Sequence, residues 1–117
     1  MSETYTLYHN PRCSKSRQTL AILEEHGIRP TIIEYLTTPP DAETLKSILT
    51  MLDLSPRELM RQKEAVYTEE RLGDESISEQ SLIQAMIDHP VLMERPIVVK
   101  GDKAVIGRPP ENVLELI

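Results

Sequence analysis

Short runs of β-branched and aromatic residues alternate along the first third of the chain with one segment of helical periodicity. Residues 4–9 combine threonine and tyrosine with an apolar leucine, which predicts a strand that the following Asn-Pro pair ends. From Ser14 the pattern is helical, with an apolar side over residues 20–23 and a glycine as stop signal. Residues 31–35 predict a second strand. Together these elements predict a βαβ unit with a right-handed crossover.

The middle of the chain predicts three helices. Apolar residues recur over residues 45–52 at the spacing of a buried helical stripe. The Ser-Pro-Arg-Glu sequence at residues 55–58 has the spacing of a capping box, and it predicts a short helix that carries residues 59–61. Residues 67–76 are polar and predict a loop. A third helix is predicted over residues 78–89, where a proline ends it.

Two further strands and a last helix complete the pattern. Residues 97–99 form a continuous β-branched run, which is typical of a central strand. A Lys-Gly-Asp-Lys turn joins this strand to residues 104–106 in an antiparallel hairpin, and a Pro-Pro pair then opens a short helix. This order resembles the thioredoxin-like arrangement. We therefore predict an α/β fold with a mixed four-stranded sheet flanked by helices, and a helical insertion between the βαβ and ββα units.

The composition is that of one globular domain, which we expect to span residues 1–117 and to be monomeric. The formal net charge of −6 disfavours binding to nucleic acid or an anionic membrane. The N-terminus shows no secretory pattern, and no stretch approaches the ~18 apolar residues of a membrane span. With a single cysteine we expect a cytoplasmic protein. The histidines and the cysteine lack metal-ligand spacing, so no metal site is predicted.

The single cysteine, Cys13, lies in the predicted turn between the first strand and the first helix. A thiol there faces the unpaired N–H groups and the positive dipole end of the helix, which favour the reactive thiolate and an oxyanion ligand. Arg12, Lys15 and Arg17 are expected to act in the same direction. The alternative is a small buried hydrophobic residue, but polar and charged neighbours favour a nucleophile.

Cys13 and Ser16 form a C-x-x-S sequence, which resembles the redox motif C-x-x-C with serine in place of the second cysteine. Reduction of a substrate by two electrons consumes two thiols, and this chain supplies one. We therefore expect the second thiol to come from outside, from glutathione or a glutaredoxin.

Several separated segments resemble one protein family, the arsenate reductases that depend on glutathione and glutaredoxin. The likeness begins around the cysteine and continues in order through almost the whole chain. The segments are residues 8–17, 30–36, 59–61, 95–99 and 107–110, with the sequences YHNPRCSKSR, PTIIEYL, LMR, RPIVV and GRPP. Several motifs that match in the right order are more specific than one short signature.

The resemblance implies a catalytic site in which Cys13 is the nucleophile. It also implies that three arginines from distant segments bind arsenate or a similar oxyanion: Arg61, Arg95 and Arg108. Guanidinium groups suit such a ligand because they donate in pairs and keep their charge. His9 is the family's histidine upstream of the cysteine, which tunes the thiolate; the alternative is a histidine bonded to the backbone. The resemblance further implies a cis peptide bond after Arg95.

The resulting hypothesis is an arsenate reductase of arsenic detoxification. Arsenate is reduced to arsenite through a thiolate–arsenate adduct on Cys13, with glutathione as co-substrate, glutaredoxin as partner and no bound cofactor. A low-molecular-weight phosphatase needs a C-x5-R loop, whereas Arg17 stands in a C-x3-R sequence. A redox-sensing regulator that binds RNA polymerase shares this fold, but Ser16 removes its usual C-x-x-C switch. A thiol oxidoreductase with another substrate stays open, because an oxyanion site does not name its anion.

Overall fold

The computed structural model describes residues 4–117, which form two compact units. The sheet unit comprises residues 4–38 and 95–117, and the helical unit comprises residues 39–94. The elements of the sheet unit are β1 (Tyr5–Tyr8), α1 (Ser14–Glu25), β2 (Thr31–Ile33), β3 (Ile97–Lys100), β4 (Lys103–Ile106) and a 3₁₀ helix (Pro110–Leu116). Those of the helical unit are α2 (Ala42–Leu52), α3 (Pro56–Leu59), α4 (Ala65–Glu69), α5 (Glu79–Asp88) and a 3₁₀ turn (Pro90–Leu92). The expected single domain stays a prediction, and its residues 1–3 lie outside the described range.

The strands form one mixed sheet in the order β2-β1-β3-β4. β1 and β2 run parallel, as the predicted βαβ unit requires, with Leu7 opposite Ile32. β3 runs antiparallel to both β1 and β4, and its Val98 also lies opposite Leu7. β3 therefore occupies the predicted central position. The predicted fold class, a mixed four-stranded sheet flanked by helices with a helical insertion, is confirmed.

The core of the sheet unit lies between the sheet, α1 and the C-terminal 3₁₀ helix. Five fully or almost fully buried side chains form it, without any tryptophan or phenylalanine. They are Leu7, Leu23, Val98, Val113 and Leu116. Burial of one such aliphatic side chain stabilises the folded state by about 1.5–3 kcal/mol.

α1 places three of its four predicted apolar residues, Leu20, Ile22 and Leu23, in or against the core of the sheet unit. Its buried positions are Ser16, Thr19 and Leu23, whereas Ala21 is exposed. The expected apolar side over residues 20–23 is therefore wrong in part. Positions three and four residues apart share one face of a helix, and the buried face of α1 begins with two hydroxyl side chains next to the loop that carries the cysteine.

Caps and apolar stripes define the helical unit. Asp41 caps α2, where its side chain accepts the Thr44 N–H at 2.8 Å, and Ser78 caps α5. The predicted capping box of Ser55 and Glu58 is present at the start of α3. The buried apolar side chains of this unit are Leu45, Ile48, Leu49, Leu59, Met60, Leu72, Leu82, Ile83, Met86, Leu92 and Met93.

Several predicted boundaries are wrong. α3 ends at Leu59 instead of carrying Arg61, because the chain there becomes extended and the Arg61 N–H donates to the Leu92 carbonyl at 2.7 Å. α4 occupies part of the segment that predicted a loop. β2 ends at Ile33, because the Glu34 carbonyl accepts the N–H groups of a turn at residues 37 and 38. Within residues 4–117, every helix is too short or too polar to cross a bilayer.

Candidate active site

The loop between β1 and α1 brings Cys13 to the N-terminal end of α1. Cys13 caps the helix with an extended backbone, at φ −92° and ψ 123°. Its N–H donates to the Asn10 carbonyl at 2.9 Å, and its carbonyl accepts the Arg17 N–H at 3.0 Å. The Asn10 side chain also accepts the Arg12 N–H at 3.0 Å. These bonds hold the loop so that the thiol meets the first amides of a 12-residue helix.

Two arginines from the C-terminal part of the chain contact Cys13. Arg108 Nη2 lies 3.8 Å from Cys13 Sγ, and the Arg95 guanidinium also donates to the sulfur. The two arginines are linked to each other, because Arg108 Nε donates to the Arg95 carbonyl at 2.6 Å. The structure thus brings Arg95 and Arg108 to Cys13, while their role in binding a substrate stays a prediction.

Strand pairing explains why residues so distant in sequence meet. β3 runs antiparallel to β1, so that Ile97 at the start of β3 lies opposite Tyr8 at the end of β1. Ile97 also lies opposite Ile106, the last residue of β4. Arg95 precedes β3 and Arg108 follows β4. Both arginines therefore lie at the edge of the sheet where the loop after β1 begins.

Each of the two arginines is followed by a cis peptide bond. The cis Arg95–Pro96 bond that the resemblance implied is present. The Arg108–Pro109 bond is cis as well; it was not predicted, because most X–Pro bonds are trans.

Gly107 allows the chain before Arg108 to pass close to α1. The Gly107 N–H donates to the Pro96 carbonyl at 2.9 Å. A Cβ atom at position 107 would lie 2.5 Å from Thr19 Oγ1 and 2.8 Å from Pro96 Cγ. Both distances are shorter than a van der Waals contact, so this position requires a glycine if Arg108 is to keep its place.

The pKa of the Cys13 thiol lies below its ordinary value. Burial is the largest influence and acts in the opposite direction, since it disfavours the charged thiolate. The amides of Ser16 and Lys15 and the Arg95 guanidinium together outweigh burial, because they donate to the sulfur and Arg95 adds a positive charge. The thiolate is the nucleophilic form of cysteine, so the site favours nucleophilic attack.

His9 is buried beside this loop and bonds to Ser16. His9 Nδ1 lies 2.6 Å from Ser16 Oγ, and the same oxygen accepts the Asn10 N–H at 3.1 Å. Burial lowers the pKa of His9; Glu34 opposes that change and Arg17 adds to it. In its neutral form the ring can accept a hydrogen bond from the Ser16 hydroxyl at Nδ1. His9 is thus linked to the thiol through Ser16, and its tuning of the thiolate stays a prediction.

Arg61, the third predicted arginine, lies in the helical unit beyond α3. Its Nη1 donates to Glu64 Oε1 at 2.9 Å, and its Nε lies 3.9 Å from Glu94 Oε1. Its side chain is 28% exposed, so the guanidinium is half-buried and paired with two carboxylates. The part of Arg61 in the site stays a prediction.

A family model described as the ArsC family matches residues 8–116. The chain belongs to the ArsC family. It is 58% identical over 118 residues to the uncharacterized protein YfgD of Escherichia coli K12, with 100% of this chain and 99% of that protein covered. It is 48% identical over 108 residues to the arsenate reductase of Neisseria meningitidis serogroup B, with 92% of each covered. Among solved structures, the arsenate reductase from Vibrio cholerae is 50% identical with a TM-score of 0.96, and both chains are covered completely.

Two features of this ArsC-family site were not predicted from the sequence. The cation that lowers the pKa of the thiol is Arg95, a residue from a distant segment, whereas the sequence pointed to the neighbouring basic side chains. Tyr35, which follows β2, is buried, and its electrostatic influence helps to raise the pKa of Arg95 against the opposing effect of burial. The position of Tyr35 near the site could have been inferred from topology, because the carboxyl ends of the parallel strands β1 and β2 lie at the same end of the sheet.

The chemical capacity of this site follows from its parts. Cys13 supplies a nucleophile with a lowered pKa, and the α1 amides and two guanidinium groups supply donors and positive charge next to it. Such donors suit a tetrahedral oxyanion with several acceptor oxygens. An ArsC-family site of this composition can therefore hold an oxyanion and attack its central atom.

Proposed function

We propose that this chain is an arsenate reductase that takes its electrons from glutathione and glutaredoxin. The observation that carries the proposal is the contact of a lone, activated thiol with two guanidinium groups, Arg108 at 3.8 Å and Arg95 beside it. Relatives named arsenate reductase support an oxidoreductase. On a chain with a net charge of −6, an anion binds only where cations are concentrated, as they are around Cys13.

Arg95 and Arg108 are the proposed oxyanion ligands, with Arg61 as the third. Arg95 and Arg108 already donate to the sulfur. An arsenate bound next to Cys13 would therefore lie within hydrogen-bonding distance of both guanidinium groups. Guanidinium groups keep their charge at all working pH values and bind paired oxygens with two parallel bonds. They also stabilise the negative charge that develops on arsenate oxygens as the thiolate attacks.

The proposed reaction has three covalent steps. The Cys13 thiolate attacks arsenic(V), an S–As bond forms, and one arsenate oxygen leaves as water after protonation. A glutathione thiolate then attacks the Cys13 sulfur, the S–As bond breaks, and its electron pair leaves with arsenic as arsenite. The glutaredoxin thiolate finally attacks the glutathione sulfur of the mixed disulfide and releases the Cys13 thiolate. Two thiols are oxidised for each arsenic reduced, and only one belongs to this chain.

The test is arsenate-dependent oxidation of NADPH with glutathione, glutathione reductase and glutaredoxin. Cys13→Ser is the central variant, because serine also caps helices well and keeps the start of α1. We expect its activity to fall to background, and Arg95→Gln and Arg108→Gln to lose about 10²-fold in kcat/KM. Arg12→Gln is the matched control at an exposed arginine of the same loop, with a loss below about threefold.

Three outcomes would contradict the proposal, the last of them only in part. Full activity of Cys13→Ser would exclude the thiolate–arsenate adduct. Wild-type protein whose Cys13 alkylates rapidly, but which does not reduce arsenate, would point to a thiol oxidoreductase with another substrate. Activity that is the same with and without glutaredoxin would leave arsenate reduction in place and remove glutaredoxin as the partner.

A further inference from the structure

Asn112 lies in the C-terminal 3₁₀ helix, and its side chain reaches back to the turn before that helix. Its Nδ2 donates to the Ile106 carbonyl at 3.2 Å and to the Arg108 carbonyl at 3.1 Å. Both neighbours are carbonyl oxygens, which only accept, so the carboxamide presents its nitrogen and uses one hydrogen for each. The two bonds therefore bracket Gly107, the residue between the two carbonyls.

These bonds of Asn112 do not cap the helix. An asparagine that caps a helix accepts backbone N–H groups through its side-chain oxygen, whereas Asn112 donates to carbonyls that precede the helix. The helix has its own bond at this point, from the Asn112 N–H to the Pro109 carbonyl at 3.0 Å. The carboxamide thus joins the helix to the turn before it.

The turn that Asn112 holds is a tight one. The Arg108 N–H donates to the Ile106 carbonyl at 2.9 Å, which closes a turn of three residues around Gly107. The Gly107 N–H donates to the Pro96 carbonyl, also at 2.9 Å. These backbone bonds tie the turn to the end of the sheet, and the carboxamide of Asn112 ties it to the helix.

Arg108 is the functional residue that this turn places. Its Nε donates to the Arg95 carbonyl at 2.6 Å, and its Nη2 lies 3.8 Å from Cys13 Sγ. Arg108 is exposed, so packing restricts its side chain little, and an arginine side chain has large rotamer entropy. The position of its backbone therefore decides whether Nε reaches the carbonyl and Nη2 reaches the sulfur.

We propose that Asn112 is a positioning residue, whose carboxamide fixes the turn around Gly107 and so holds the Arg108 guanidinium beside Cys13. For arsenate reduction this inference rests on the proposed function, in which Arg108 binds the oxyanion. For the placement of the guanidinium it rests on the bonds of Asn112 and Arg108 alone.

The direct test measures by NMR how fast the Arg108 Nε–H exchanges with water, with the signal assigned by its loss in Arg108→Gln. In Asn112→Ala we expect this hydrogen to exchange about tenfold faster, because its bond to the Arg95 carbonyl opens more often. The Arg57 Nε–H, which donates to the Leu72 carbonyl at 2.9 Å in the helical unit, is the internal control and should keep its rate. An unchanged rate at Arg108, or an equal acceleration at Arg57, would overturn the inference.

Binding of the oxyanion gives a second readout. Cys13 is the only cysteine, so alkylation by iodoacetamide reports on one site, and bound arsenate should slow it. We expect Asn112→Ala to raise the arsenate concentration for half protection, and the KM for arsenate, about fivefold. Glu115→Ala, at an exposed position of the same helix, should change neither.

A double-mutant comparison shows whether Asn112 acts through Arg108. In an Arg108→Gln background, Asn112→Ala should have no further effect on protection by arsenate or on the KM. An equal effect of Asn112→Ala with and without the Arg108 guanidinium would refute the positioning role.

Two further measurements keep the inference testable if Asn112→Ala does not fold. Asn112→Asp keeps the size of the side chain but faces the two carbonyls with acceptors, so it should also speed exchange at Arg108. In wild-type protein, the Nδ2 hydrogens of Asn112 should exchange more slowly than the side-chain amide hydrogens of the exposed Gln18, and equal rates would overturn the inference. If arsenate does not protect wild-type Cys13, the proposed function fails, and exchange of the Arg108 Nε–H still decides the role of Asn112.

Discussion

The sheet unit and the helical unit bury different kinds of side chain. Within residues 4–117, the buried side chains that carry polar groups other than tyrosine hydroxyls all lie in the sheet unit: His9, Asn10, Ser16 and Thr19. The helical unit buries leucine, isoleucine and methionine, with two prolines, Pro40 and Pro56. A buried polar group costs about 1–3 kcal/mol unless it is hydrogen-bonded, so this difference needs a reason.

The reason is the loop that carries the cysteine. Ser16 Oγ is shared by the His9 ring and the Asn10 N–H, and the Asn10 carbonyl accepts the Cys13 N–H. These polar groups are buried because they shape a loop, and the loop brings a thiol to the first amides of α1. The interior of the helical unit thus serves packing, while part of the interior of the sheet unit positions the cysteine.

A cavity in the core of the helical unit should reduce stability more than any other substitution considered, without changing the thiol. Leu45 of α2 is fully buried, so Leu45→Ala should lower the free energy of unfolding by about 2–5 kcal/mol. Denaturant unfolding measures this loss. The pH profile of Cys13 alkylation in the folded protein should stay unchanged, because no group that lowers the pKa of the thiol is altered.

Ser47 supplies the matched control on the same helix. Its side chain is exposed, so Ser47→Ala should change the unfolding free energy by less than about 0.5 kcal/mol. A shifted alkylation profile in folded Leu45→Ala protein would break the contrast, since packing of the helical unit would then help to set the state of the thiol.

A smaller effect is expected at Gly107, where stability and chemistry are lost together. A methyl group there meets Thr19 Oγ1 at 2.5 Å and Pro96 Cγ at 2.8 Å, so Gly107→Ala should cost about 1–3 kcal/mol of unfolding free energy. Because Arg108 is the next residue, the variant should also bind arsenate more weakly. Denaturant unfolding and the KM for arsenate measure the two losses.

Two controls isolate the close approach at Gly107. In a Thr19→Ala background the same substitution should cost less, since one of the two clashing side chains is shortened. In the helical unit, a Cβ at Gly73 would meet the Tyr67 hydroxyl only at 3.4 Å, so Gly73→Ala should be close to neutral. Equal losses at Gly107 and Gly73 would show that close packing against α1 is not the cause.

The sequence predicted most of the fold, but only the local part of the site. Caps such as Ser55 and periodic leucines are local signals, and the helices that carry them were found. α4 was missed because it has neither a side-chain cap nor a buried residue, so no pattern marked it. The position of Cys13 before α1 was also a local signal.

The contacts of Arg95 and Arg108 with Cys13 depend on the pairing of β1, β3 and β4, which spacing along the chain does not reveal. Those arginines were therefore named only through a family resemblance. Tyr35 was missed for a related reason, because an aromatic residue at the end of a strand pattern indicates a core position and nothing more.

The smallest expected effect concerns His9 and the dependence of stability on pH. The pKa of His9 is lowered in the folded state, mainly by burial, so below the ordinary histidine pKa of about 6.5 the unfolded chain binds more protons than the folded one. The contribution of His9 to stability is thus complete at neutral pH and is lost as the pH falls from about 6.5 toward the lowered value. Replacement by glutamine should flatten the rise of unfolding free energy between pH 5 and 7.

His26→Gln, at an exposed histidine after α1, serves as the comparison for His9→Gln. If the two variants flatten the pH dependence equally, burial of His9 against Ser16 is not the cause. If only His9→Gln does so, and the Cys13 alkylation profile shifts in the same variant, then protonation of His9 and ionisation of Cys13 depend on each other through Ser16. A flattened stability curve with an unchanged alkylation profile would instead limit His9 to a structural role, and the buried polar groups of the sheet unit would then serve to hold the loop without tuning the sulfur.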